Sequence, residues 1–206
     1  MRIELERFLS TPVDNKVRKR AKQVPAAEMR DRIIAASRIK FSNAGYDEIG
    51  VRELAQAAGV DPAIVIRTCG SKQELFAAVA DLTLGLEDAY DGPIEKFGYF
   101  LASHLVGKLD GDSGQQEADD FSLLMRSAAS RTAGPILAEG LKTKFIEPLA
   151  RLIGEPEAEL RAALLTAVTL GFATMRVSLG SKILIDADRD QLAKRLGQVL
   201  QKCLEV

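Results

Sequence analysis

Gly45, Gly59 and Gly70 cut the stretch from Met29 to Ala80 into short segments, and each segment begins or ends with helix-terminating chemistry. From Pro25 onward, Met29, Ile33, Ala36 and Phe41, with Ile34 and Ser37 alongside, recur at helical spacing until Gly45 stops the helix. A second helix is predicted from Val51 to Ala58, with Val51, Leu54, Ala55 and Ala58 on its inner face and Gly59 as its stop. A third opens at Asp61, whose carboxylate can cap the free N–H groups for about 1 kcal/mol. Pro62 follows at the first helical position, and Gly70 closes the helix. Ser71 and Glu74 then form a capping box for a fourth helix carrying Leu75, Phe76 and Val79. Two short helices joined by a turn as tight as Ala58–Asp61 let the second project into a DNA major groove, although such a pair can also be purely structural.

The charge distribution bears on that choice. Residues 1–80 hold 14 Lys/Arg against 10 Asp/Glu, while residues 81–206 hold 14 against 19. Residues 16–40 alone carry nine basic and two acidic side chains. A basic first part on an acidic body suggests a polyanion partner for that part; a solvated charged face is the other reading. Residues 1–24, with Lys16, Arg18, Lys19, Arg20 and Lys22 and little apolar content, are predicted to be a flexible basic arm. It can follow the phosphate backbone or enter a minor groove, or serve as a solubilising tail.

Beyond residue 80 the pattern stays helical. Segments at 93–109, 118–130, 134–153, 157–179 and 188–205 carry apolar residues at three- and four-residue spacing, with a Gly/Asp-rich loop between Leu109 and Gln116. Strand-type alternation is essentially missing. The expectation is an all-α chain: arm 1–24, helix-turn-helix domain 25–80, and an effector-binding and dimerisation body 81–206.

The string Arg32-Ile33-Ile34-Ala35-Ala36, Phe41, Gly45-Tyr46, Val51-Arg52-Glu53-Leu54-Ala55, Ala58-Gly59-Val60-Asp61, Gly70-Ser71-Lys72, Leu75-Phe76 resembles the head of TetR-type transcriptional repressors over about fifty residues. More loosely, Leu123 to Ala129, Pro148-Leu149-Ala150 and Glu159 to Leu164 are similar to a C-terminal class of that family common in actinobacteria. The resemblance implies an all-helical homodimer that binds double-stranded DNA and whose body binds a small effector. Ligand would shift the population toward a dimer geometry whose heads no longer fit the operator half-sites. The chain also departs from the pattern. Ile66, Thr68 and Cys69 stand where the family usually has Tyr, His or Tyr, and Phe; the first two usually grip phosphates and the third packs the head. Ile49 and Gly50 replace the usual Thr and Ser ahead of the second helix, and Lys40 replaces a Leu. These departures motivate an alternative, a ligand-sensing or scaffold homodimer with a degenerate DNA-binding head.

Within the third helix, Ala63, Ile64 and Arg67 are the side chains expected near the groove. Arg67 is the candidate for bidentate contact to guanine, worth about 1–3 kcal/mol of discrimination, or else a phosphate contact or a surface ion pair. Ala63 or Ile64 can meet a thymine methyl or pack locally. Thr68 can reach a phosphate or bond its own helix. Lys72 lies at the fourth helix's N-terminus, where the helix dipole favours an anion. Arg52 is a candidate for DNA or for a carboxylate inside the head; Tyr46 is a phosphate candidate by resemblance and a core candidate by type.

In the body, Leu160, Ala163, Leu164, Ala167 and Gly171 recur along one helix, and Leu192, Leu196, Val199 and Leu200 along another. They resemble the family's two dimer helices, although the same pattern also suits an intramolecular core. Phe97, Phe100, Leu101, His104, Phe121, Leu124, Met125, Phe145, Phe172 and Met175 are candidates to line a ligand cavity, or simply to form core. Arg126 and Arg176 occupy apolar contexts and each calls for a carboxylate, either Glu147 or an acidic ligand. An enzyme is disfavoured: His104 is the one histidine and has no nucleophile, Walker or metal-ligand spacing around it, so neither catalytic residue, cofactor nor metal is expected. Cys69 and Cys203 lie far apart, which suits a reducing compartment. The first ten residues have no signal-peptide apolar core, and the apolar run Ala162–Met175 is too short to span a bilayer, so a cytoplasmic protein without a membrane partner is predicted.

Overall fold

A computed structural model of the chain describes residues 25–83, 90, 92–110, 114–154 and 156–205. The basic arm, with Lys16 to Lys22, lies outside the described residues. Among the described residues every regular element is helical.

The head comprises α1 (Ala26–Ala44), α2 (Val51–Ala58), α3 (Pro62–Cys69) and α4 (Lys72–Thr83). Its helix ends form where capping chemistry stands. Asp61 accepts a hydrogen bond from Ala63 N–H at 2.8 Å, and left-handed Gly59 ends α2. Glu74 accepts from Ser71 N–H at 2.7 Å while Ser71 Oγ accepts from Glu74 N–H at 3.2 Å, completing the box on α4. The start of α2 holds half of such a box. Glu53 accepts from Gly50 N–H at 2.7 Å, and Gly50 has no hydroxyl to return the bond.

The body continues with a 3₁₀ turn (Ile94–Lys96) into α5 (Phe97–Asp110), then α6 (Gly114–Ala128), α7 (Ala133–Leu141) and α8 (Glu147–Ile153). It ends with α9 (Ala158–Ala173), α10 (Lys182–Ile185) and α11 (Arg189–Leu204). Of the segment Leu109–Gln116 expected as a loop, the ends are helical instead: α5 runs to Asp110 and α6 starts at Gly114. One π turn (Lys142–Ile146) joins α7 to α8, and another (Thr174–Ser178) extends α9. The latter makes a continuous helix of 21 residues, Ala158–Ser178, as the spacing over 157–179 predicts; by length and composition it is apolar enough to cross a membrane, unlike the run Ala162–Met175 alone. Its apolar surface is divided between two faces. Ala162, Leu165, Thr166, Thr169 and Ala173 point into the protomer, whereas Leu160, Leu164, Ala167, Gly171 and Met175 are exposed.

Head and body share one core. Phe41, Tyr46, Leu54, Val65, Leu75 and Phe76 pack in the same buried cluster as Leu123 and Leu124 of α6 and Ala133 and Leu137 of α7. Polar contacts stitch the same seam. Arg38 grips Asp120 with two donors, Nε at 2.6 Å from Oδ1 and Nη2 on Oδ2. Tyr46 N–H donates to Ser127 Oγ at 3.1 Å, and Ser130 Oγ donates to Asp47 at 3.0 Å. Gly45 has φ +74° and lies so close to α6 that a Cβ there would sit 3.0 Å from the Arg126 carbonyl oxygen. Only glycine meets both conditions without strain.

The second core joins α5 and α11 to α8 and α9. Leu196 and Leu200, whose spacing suits either a dimer face or an intramolecular core, are buried against α5, with Leu204 beside them. The reason is at Gly98, where a Cβ would lie 2.3 Å from Gln201 N and 2.6 Å from its Cα. That lets α11 approach until the buried Gln201 side chain accepts from Gly98 N–H at 2.9 Å and donates to the Ile94 carbonyl at 3.1 Å, capping α5. Backbone cannot yield as a flexible side chain can. Gly98→Ala is therefore expected to push the two helices apart and cost about 3 kcal/mol, the upper end for overpacking, seen as a lower denaturant midpoint. A midpoint equal to that of the parent protein would contradict this packing.

Candidate nucleic-acid interface

The helix α3 is held by one face and free on the other. Val65 is 1 % exposed, and Ile64 and Cys69 pack against the head core, so Ala63, Ile66 and Arg67 project outward. Ile64, expected near the groove or packed locally, is half-buried and packs against the head core. Ile66, a departure from the family's usual aromatic, is the isoleucine that faces out, 48 % exposed. Helical spacing alone does not single it out, because Ile64 and Ile66 stand about 100° to either side of Val65. Thr68 is half-buried, and Arg52 is exposed on α2. Burial raises the pKa of the Cys69 thiol, opposed by Arg30, so Cys69 is a packing residue in the usual place of the family's Phe.

Tyr46 is core. Its ring stacks on Phe41 with centroids 6.1 Å apart and meets Phe76 edge-on at 5.0 Å. Above it sits the Lys72 ammonium, 4.0 Å from the ring centroid, a cation–π contact that steers this flexible cation to one side of α4. Burial lowers the Lys72 pKa, and Asp47 and Glu53 pull it back up. The end of α4 is already partly satisfied by its own Glu74, whose carboxyl pKa is lowered by the Ser71 backbone and hydroxyl donors. Lys72, rather than the bare helix terminus, is therefore the cationic feature at this edge.

The cavity residues divide. Phe97 and Leu101 are buried in the second core with Phe121, Phe145 and Phe172 packed on it; Leu124 and Met125 belong to the first core. His104 stacks on Phe100 at 5.8 Å. Met175 is exposed on the outward face of the long helix, and Arg126 is exposed at the end of α6, unlike the buried position expected from its apolar neighbours. Arg176 is buried, and its Nη1 donates to the Leu184 carbonyl at 2.6 Å, tying α10 to the π turn. Glu147 sits 3.8 Å from Lys142. An open cleft of about 700 Å³ is lined by Tyr90, Pro93, Lys96, Tyr99, Phe100 and Ser103, of which only Phe100 was among the expected wall residues. Of the dimer candidates, Leu160, Leu164, Ala167, Gly171 and Val199 are exposed, while Ala163 and Leu192 are half-buried.

Residues 95–204 match the family described as tetracyclin repressor-like, C-terminal domain, and residues 33–79 match bacterial regulatory proteins of the tetR family. No relative is found among curated proteins. Among solved structures, a TetR-family regulator from Streptomyces coelicolor is 26 % identical with a TM-score of 0.61, over 89 % of this chain and 99 % of that one. A transcriptional regulator from Rhodococcus is 26 % identical with a TM-score of 0.57, over 85 % and 93 % of the two chains. NalD of Pseudomonas aeruginosa, the secondary repressor of the MexAB-OprM multidrug efflux pump, shares the fold at 18 % identity and a TM-score of 0.62, over 87 % and 97 %. With the C-terminal match alone covering more than half of the chain and the helix-turn-helix head matched ahead of it, the chain belongs to the TetR family of transcriptional regulators.

Proposed function

We propose that the chain is a cytoplasmic, homodimeric repressor that holds a palindromic operator through its two α3 helices and is released when a small molecule binds the body. The observation that carries the reading is the outward face of α3, where Ala63, Ile66 and Arg67 stand clear of the core, together with the Lys72 ammonium held over Tyr46 at the start of α4. Arg67 supplies the donor pair for a guanine edge, and Lys72 and Arg52 supply phosphate contacts. The packing of Cys69 into the core supports an intact head rather than a degenerate one.

A single head makes too few contacts for tight binding, so the reading needs two. The exposed apolar stripe from Leu160 through Leu164 to Leu179 supports a second copy as its cover, with small Ala167 and Gly171 allowing close helix approach. A partner seated there also accounts for an apolar 21-residue helix without a bilayer. Effector action would run through α6, because the buried seam and the Arg38–Asp120 pair make the head follow that helix.

The test is selection of duplex DNA from a random pool by the purified protein, followed by salt titration. A palindrome is expected. Arg67→Ala should relax sequence preference, whereas Lys72→Ala should weaken all sequences alike and reduce the salt slope by about one. Absence of any enriched sequence, with binding no stronger than to bulk DNA, would overturn the proposal.

A further inference from the structure

The outward isoleucine of α3 carries a more specific inference, which rests on the reading of α3 as a groove-entering helix. An exposed apolar side chain on a surface is ordinary when it stands alone. Ile66 does not stand alone: it lies next to Arg67 and one turn from Ala63, on the exposed side of α3. A groove floor is polar almost throughout. Its one apolar feature on the major-groove side is the C5 methyl group of thymine. A β-branched side chain, stiff at its first torsion, presents its methyl groups in few directions and covers a methyl target with little loss of rotamer freedom. It has no polar atom with which to hold a phosphate.

We propose that Ile66 is a specificity-determining residue, whose side chain covers the C5 methyl of a thymine adjacent to the guanine read by Arg67. Sequence preference then rests on the outer face of α3, and the affinity that phosphate contacts supply falls to Lys72 and Arg52.

Deoxyuridine isolates the methyl group, because it differs from thymidine there and leaves every hydrogen-bonding edge unchanged. Each thymine of the selected operator is replaced in turn, on both half-sites, and titrated with wild type, Ile66→Val and Ile66→Ala. At one symmetry-related thymine pair, wild type is expected to lose about fourfold per half-site, the worth of one buried methyl group, and about fifteenfold for both. Ile66→Ala should show no deoxyuridine penalty there, Ile66→Val an intermediate one, and all three proteins the same response at every other thymine. The half-exposed position makes equal thermal unfolding of the three proteins the expected control. If operator binding persists but no thymine distinguishes wild type from Ile66→Ala, the assignment of Ile66 is overturned and the regulator reading stands. If no operator is selected at all, both fall together.

Discussion

Leu164→Lys is expected to yield a folded protomer that neither pairs nor holds operator DNA tightly. Leu164 is 50 % exposed, so lysine can be solvated in the isolated chain and costs the fold little. In a dimer built on the stripe of α9 it would lie between Leu160 and Gly171, where close helix approach leaves no room or partner for an ammonium. Burying a charge without a counter-ion costs several kcal/mol, enough to dissociate an interface of ordinary size. Losing the second head then removes the gain from linked binding, about 10²- to 10⁴-fold in operator affinity. Sedimentation and DNA titration at matched protein concentration measure the two effects. A variant that still sediments as a dimer and retains its operator affinity would place the interface elsewhere.

Phe76→Ala tests the shared core. Phe76 is fully buried and meets both Phe41 and Tyr46 edge-on, at centroid distances of 5.0 Å and 5.0 Å. Truncation leaves a cavity and should cost about 3–5 kcal/mol, a large part of the 5–15 kcal/mol that holds a typical domain. Since the same cluster contains Leu123 and Leu137 of the body, the loss should not be confined to the head. One cooperative transition is expected, with Tm lowered by about 10 °C and DNA binding lost. Two transitions, with the body melting where it does in the parent protein, would mean that the head is an independent unit.

The caps and stops of the head were legible in the chain because they are local chemistry. Asp61, Ser71 with Glu74, and Gly59 act within three or four residues of where they stand, so their placement needs no knowledge of what packs against what. The helical spacing of Leu160, Leu164 and Gly171 was equally readable, and these residues do share one face. Spacing alone could not say which face of α11 is spoken for. Leu192, Leu196, Val199 and Leu200 look alike along the sequence, yet Leu196 and Leu200 are covered by α5 and Val199 is 51 % exposed. Gly98, a hundred residues away, decides this by letting the backbones close.

The same distinction explains the head. An eight-residue helix has too few apolar positions to declare its inner side, and Ile64, Val65 and Ile66 occupy three directions on it. Which isoleucine turns outward depends on where α1, α2 and α4 press, and that choice passes control of the outer surface from Ile64 to Ile66. The helix ends of the head and family membership were thus settled by near neighbours along the chain. The exposed edge of α3, the head's attachment to α6 and the buried face of α11 were settled by burial against distant segments, because free energy from apolar contact depends on proximity in space and carries no local signature.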